Sequence, residues 1–250
     1  ELRRGYPYNH VMPDLNGRRY ENLRMAARLA EAAGTPMPQL SRRAEELQAL
    51  LKVTLWNPKT RWFDFQDGLG RKDTRATVQM FKLFGSRVLD DEQEAGLLSH
   101  LNETEFLSAY GLHSMAKSDV AYDPIDIDNG GGGCCTCFPP QIAERLYKAG
   151  RAGAAEDIIR RIQWWGERLP YWGDSLVADR IDYRKDTPLQ CTIDGATVAQ
   201  CIIFGMFGVS AELSGDIRID PRPPAFAPRI ELRGLRLRGR YCFADDPHLD

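Results

Sequence analysis

The sequence predicts a mainly α-helical chain of antiparallel helical hairpins, with a small β element at its C-terminal end. Three observations point there. Apolar residues recur at helical spacing in paired segments separated by short Gly/Pro turns. Loops of Trp, Tyr, Asp and Gly alternate with those pairs. The tail RIELRGLRLRGRYCF instead alternates apolar and charged residues at period two around Gly234 and Gly239, a strand pattern.

Taken in order, Gly5 to His10 is a loop presenting two tyrosines and a histidine. Asp14 can cap a first helix, whose stripe of Leu23, Ala26, Ala27, Ala30 and Ala33 stops at Gly34 with Pro36 beyond. Ser41 can cap the second, striped by Leu47, Leu50, Leu51, Thr54 and Leu55. The short turn between them makes a hairpin. After the loop LWNPKTRWFDFQDG a second pair is expected: a helix near Arg75 to Phe84, then one opened by a capping box of Asp91 and Glu94 and carrying Leu97, Leu98 and Leu101.

A third pair starts at Pro139 and Pro140. Ile142, Ala143, Leu146 and Ala149 run to a stop at Gly150, and Arg151 to Arg168 follows with Ala155, Ile158, Ile159, Ile162 and Trp165 on one face. Ala196 to Leu213 is apolar nearly all round, so a helix enclosed on most sides is expected there. Gln200, Gly205 and Gly208 interrupt the run, which is too short to span a bilayer comfortably. PRPPAFAP reads as a proline-stiffened linker. The chain thus divides into a helical unit over 1–215 and a linker with β element over 216–250.

A chain of 250 residues can bury a sizeable core. Its 33 Lys and Arg against 35 Asp and Glu leave a formal charge of −2, which gives no electrostatic case for a nucleic-acid partner. It opens ELRRGYP without a charged-then-apolar signal region or an initiator Met, so a processed or excised chain is expected. Cysteines stand at 134, 135, 137, 191, 201 and 242; C-C-x-C matches neither a zinc ribbon nor a CxxC redox pair. They are expected as small buried residues, and neither a metal nor a cofactor is expected.

The stretch YDPIDIDNGGGGCCTC, Tyr122 to Cys137, sets four consecutive glycines between acids and cysteines. Glycines pack no side chain and lose the most backbone entropy on folding, so the chain must pass close to something there. Two other loops, Gly5 to Asn16 and Tyr171 to Asp186, share its aromatic and acidic chemistry, and all three are expected at one end of the bundle.

Certain words in this order resemble a known group. Pro13-Asp14-Leu15-Asn16, two helices, then Leu55-Trp56-Asn57 and Trp62-Phe63-Asp64 are similar to the order in trehalases and processing glucosidases. Tyr110-Gly111-Leu112, Tyr122-Asp123-Pro124 and the glycine turn resemble that group's next hairpin, and Tyr171-Trp172-Gly173-Asp174 with Phe204 to Val209 its closing part. The resemblance is to six-hairpin α/α-toroid glycosidases, the trehalase and glucoamylase-like group, over roughly Tyr8 to Val209. It implies an all-α toroid, incomplete here because the helices are too few, corresponding to the C-terminal half of the barrel. It also places the general base in the Asp174 loop and the general acid upstream of Glu1, so the missing N-terminal part of the polypeptide is an expected partner.

Glycoside hydrolysis needs two carboxyl groups across one bond. Asp174 is the preferred base: it matches the family's position, and the adjacent Trp172 could stack on a sugar and desolvate the carboxyl. A turn cap is its structural alternative. Asp186 is the catalytic runner-up together with Asp182, although Arg184 between them could tie both into an ion-pair cluster. Asp126 and Asp128 could bind sugar hydroxyls, or calcium with backbone carbonyls. Tyr8, His10, Trp62, His113, Trp172, Asp182 and Arg184 complete the expected carbohydrate-binding set. The function classes implied are a glycoside hydrolase of inverting type, a noncatalytic sugar-binding or scaffold protein, and a sugar isomerase or polysaccharide lyase on the same fold.

Overall fold

The computed structural model describes residues 11–127, 130–169, 173–185, 192–237 and 240–245. Helices dominate. α1 (Pro13–Ala32) and α2 (Pro38–Leu50) pack together as the first hairpin. Gly34 takes a positive φ of 73° just past α1, and Thr35 N–H returns to the Ala30 carbonyl at 2.9 Å, which ends the helix where the sequence places its stop. α2 continues through a wider turn over Leu51–Leu55.

Pro13, not a capping Asp14, begins α1: Met12 is the cap residue, and its side chain makes no capping bond. Ser41 likewise lies inside α2. The expected helix at Arg75 to Phe84 shortens to a 3₁₀ helix over Val78–Leu83. α3 (Asp91–His100) opens one residue earlier than the sequence suggested. Asp90 caps it, accepting from Gln93 N–H at 2.9 Å while Gln93 Oε1 accepts from Asp90 N–H at 3.2 Å.

α4 (Phe138–Lys148) and α5 (Ala152–Ile162) make the third pair, followed by the short α6 (Trp165–Arg168). α7 (Thr192–Gln200) continues as a widened turn over Cys201–Met206 and ends before Gly208. This corrects the expected all-round burial. Thr197, Cys201 and Gly205 face inward at four-residue spacing, whereas Ala196, Ile202 and Phe204 are exposed. The better covered helix is α4, which packs against α5, α7 with its extension, and the 3₁₀ helix, burying Ile142, Ala143, Leu146 and Tyr147.

The strands are short antiparallel pairs: β1 (Trp56–Asn57) with β2 (Trp62–Phe63), β3 (Phe65–Gln66) with β4 (Lys72–Asp73), and β5 (Leu107–Ser108) with β6 (Gly111–Leu112). Further along, β7 (Gly133–Cys135) pairs with β8 (Ser175–Val177), β9 (Ser210–Ala211) with β10 (Ile217–Arg218), and β11 (Glu231–Leu237) with β12 (Arg240–Asp245). The last pair is the expected C-terminal β element. Leu232 and Leu235 of β11 pack with Ile217 and Ile230 on Phe207 and Val209, so the tail folds back onto the end of α7.

One main core joins Leu51, Leu55, Trp62, Phe81, Phe84, Leu97, Phe106, Leu146 and Tyr147. Close approach is built in at Gly17, where an added methyl would overlap the Leu83 side chain. The start of α1 therefore lies directly on the 3₁₀ helix. Among the described residues, no helix is long and apolar enough to cross a membrane.

Candidate active site

The site is organised by the pairing of β7 with β8, which joins the glycine turn to the Asp174 loop. The register places Gly133 opposite Val177, Cys134 opposite Leu176 and Cys135 opposite Ser175. A methyl on Gly133 would overlap the Leu176 carbonyl oxygen, and one on Gly132 the Pro124 carbonyl oxygen. What the glycines approach is thus the chain's own backbone: Asp123 N–H donates to Gly130 O at 2.7 Å, Gly132 N–H to Asp126 O at 3.1 Å, and Gly133 N–H to Ile127 O at 2.6 Å.

Asp174 immediately precedes β8. Its carbonyl accepts from Thr136 N–H at 3.0 Å, and the Gly173 carbonyl accepts from the Thr136 hydroxyl at 2.7 Å. Its carboxylate is partly exposed, and Oδ2 accepts from Arg184 Nη1 at 3.3 Å. Arg184 N–H donates to Ser175 O at 3.0 Å, so the guanidinium is carried by the same small sheet as the carboxylate it pairs with. Asp182 instead bonds Lys185 at 2.9 Å, with Arg180 at 3.6 Å, and the Lys185 hydrogen bond leads in holding its carboxyl below the usual range. Arg184 therefore joins Asp174, and Asp182 belongs to a separate surface cluster.

His113 is buried beneath the glycine turn. Its Nδ1 donates to the Gly131 carbonyl at 2.6 Å, leaving Nε2 to accept from the Ser108 hydroxyl at 2.8 Å. Burial pushes its pKa below the ordinary imidazole value, against the opposing pull of the Gly131 bond. Asp126 supports the same turn through its carbonyl. Trp62 lies within the core at 1% exposure, stacked on Phe106 at 5.6 Å and meeting Phe81 and His100 edge-on, with its N–H on the Arg75 carbonyl at 3.0 Å. Its ring faces are taken by protein. Tyr8, His10, Asp128, Trp172 and Asp186 lie outside the described residues.

A second group of residues, not singled out as a site from the sequence, adjoins the first through Thr136. Asp14 is buried at the start of α1, its Oδ1 has no hydrogen-bond partner, and burial raises its pKa. Lys82 lies half-buried, with Nζ 4.3 Å from the Phe138 ring centre. Burial lowers its pKa, while attraction to Cys137, Asp14 and Cys135 opposes the shift. The only sequence signals for this cluster were Asp14 in its Pro-Asp-Leu-Asn word and the CTC spacing; nothing local marks Lys82, which arrives by the packing of α1 on the 3₁₀ helix. Two of the three rich loops meet through the pairing of β7 with β8, and only residues 11–16 of the third lie among the described residues.

Comparison with solved structures returns glycosidase folds. A sialidase aligns with a TM-score of 0.73 at 16% identity, over 85% of this chain and 21% of that one. The GH63 mannosylglycerate hydrolase from Thermus thermophilus, in complex with glucose, aligns at 0.66 and 14% identity, over 78% of this chain and 48% of that one. The neutral trehalase Nth1 from Saccharomyces cerevisiae aligns at 0.63 and 11% identity, over 76% and 37%. At such identities the likeness is one of fold, an α/α toroid, and the chain spans from about a fifth to about half of their lengths. No curated protein sequence matches. Residues 2–138, more than half of the chain, match the family model of the mannosylglycerate hydrolase MGH1-like glycoside hydrolase domain. By that match the chain belongs to the MGH1-like glycoside hydrolase domain family.

Proposed function

We propose that this domain serves the hydrolysis of a glycosidic bond in a small glycoside or oligosaccharide, with Asp174 as the general base. The observation that carries the reading is the placement of the Asp174 carboxylate: partly exposed, at the start of β8, on a backbone clamped by Thr136. Such a carboxylate can take a proton from water as the water attacks the anomeric carbon. Arg184 orients it from one side, leaving its other lone pairs to accept that proton. The complementary general acid is a second carboxyl group, which this reading does not assign to any described residue. By resemblance the outcome is inversion.

The Arg184–Asp174 pair also favours a second reading, a noncatalytic sugar-binding domain in which this ion pair is structural. One experiment separates the two. The longest available form of the protein is assayed on a panel that includes mannosylglycerate and trehalose, as wild type and as Asp174→Asn. The amide keeps the carboxylate's shape but cannot accept the proton, so turnover should fall about a hundredfold to ten-thousandfold, about 3 to 5 kcal/mol, with sugar binding nearly unchanged. Asp182→Asn should leave turnover close to wild type. Full activity in Asp174→Asn removes the assignment; sugar binding without turnover in the wild type favours the scaffold.

A further inference from the structure

Cys135 and Cys137 flank Thr136, and their sulfurs lie 3.4 Å apart. Both side chains are partly exposed, whereas Cys134 and Cys201 are buried. Burial also pushes the Cys201 thiol up to about 12. A solution reagent therefore reaches the 135/137 pair before either of those two. Near the pair stands Lys82, whose Nζ lies 4.3 Å from the ring centre of Phe138, the residue that follows Cys137. The glycosidic chemistry proposed above uses neither sulfur.

We propose that Cys135 and Cys137 form an oxidative modification site, a dithiol that a low-molecular-weight disulfide of the glutathione-disulfide class closes into an intramolecular disulfide. The first cysteine releases its proton to solvent and its sulfur attacks one sulfur of the reagent; the reagent's S–S bond breaks, and one half leaves as a thiolate. The second cysteine, deprotonated in turn, attacks the sulfur of the first. The bond between Cys135 and Cys137 forms as the bond to the second half of the reagent breaks. The protein has lost two protons and two electrons, and the reagent has become two thiols. Closure needs the sulfurs to move from 3.4 Å to about 2.0 Å, a local adjustment of the residues around Thr136.

That adjustment has a direct route to Asp174. Thr136 holds the Asp174 and Gly173 carbonyls through its N–H and its hydroxyl. A ring closed across Thr136 restricts the residue that makes both bonds, so oxidation resets the start of β8. This consequence for activity rests on the proposed role of Asp174; the modification itself does not.

The test incubates the full chain with glutathione disulfide, alkylates the remaining thiols, and reads intact mass and peptide maps. In the wild type, the protein should lose two hydrogens without retaining glutathione, with the link mapping inside one peptide that holds Cys135 and Cys137. A thiol reductant should reverse it. Cys135→Ser and Cys137→Ser cannot close the ring, and at least one of them should retain a glutathione adduct on the surviving thiol. Circular dichroism identical to wild type shows that both variants fold. The site is overturned if both cysteines of the wild type stay alkylatable, if a glutathione adduct persists there, or if the link joins either to Cys134, Cys191, Cys201 or Cys242. Where turnover is measurable, oxidation should lower it in wild type and not in the double serine variant. Unchanged turnover in ring-closed protein overturns the route to Asp174. Failure of the glycosidase reading leaves the mass result standing, so the two are distinguishable.

Discussion

His113 and Gly133 are the residues on which the glycine turn depends. The imidazole has its pKa lowered by burial from the ordinary 6.5. Between the folded and unfolded values the unfolded chain binds more protons, so this contribution to stability is complete above about pH 6.5 and is lost as pH falls toward the folded value. His113→Asn should flatten that part of the stability–pH curve, read from urea midpoints on either side of the ordinary imidazole value; an unchanged slope would place the acid sensitivity elsewhere. At Gly133 the obstacle to a side chain is a carbonyl oxygen rather than the flexible end of a neighbour. Gly133→Ala must therefore part β7 from β8, and should destabilise by about 1 to 3 kcal/mol or more by denaturant titration.

At the scale of the element, α3 is held at its start by the reciprocal bonds of Asp90 and Gln93, supplemented by Lys52 Nζ at 3.3 Å from Asp90. Asp90→Ala should cost about 0.5 to 2 kcal/mol in unfolding free energy, most of it from the cap, because the ion pair is partly solvent-exposed. Asp90→Asn keeps the side-chain acceptor and should recover most of that loss. An equal loss in both variants would assign the effect to the charge pair instead. The capping residue was read one position late from the sequence, since Asp90 and Asp91 are both good caps and only the direction of the following turn distinguishes them.

Across the whole molecule, the C-terminal hairpin is anchored by the small apolar cluster around Phe207 and Val209, which meets the main core of Leu55, Phe81 and Leu146 through Ile230. Phe207 is 3% exposed, and Phe207→Ala removes the largest apolar surface in that cluster. Hydrogen exchange should then accelerate in β9 to β11 while α3 and α4 keep their protection, because Phe207 belongs to the small cluster and not to the main core. Acceleration spread evenly over α3, α4 and the tail would mean that tail and helices unfold as one unit.

The sequence by itself determined the first and third helical hairpins, the stops at Gly34 and Gly150 and the C-terminal strand pair, because periodicity, glycine conformation and turn chemistry act over a few residues, while the order of words from Pro13 to Asp174 carried the resemblance to glycosidases. It also identified four glycines as a place of close approach, without saying to what. Tertiary structure decided that the approach is to the Leu176 and Pro124 carbonyls, that Trp62 lies in the core, that Arg184 pairs with Asp174, and that one face of α7 is exposed. It alone brought Lys82 to the Phe138 ring and Gly17 against Leu83, pairs more than fifty positions apart in the chain. Each of these depends on which surfaces meet when distant segments pack, and composition and spacing carry no information about that until the segments have met.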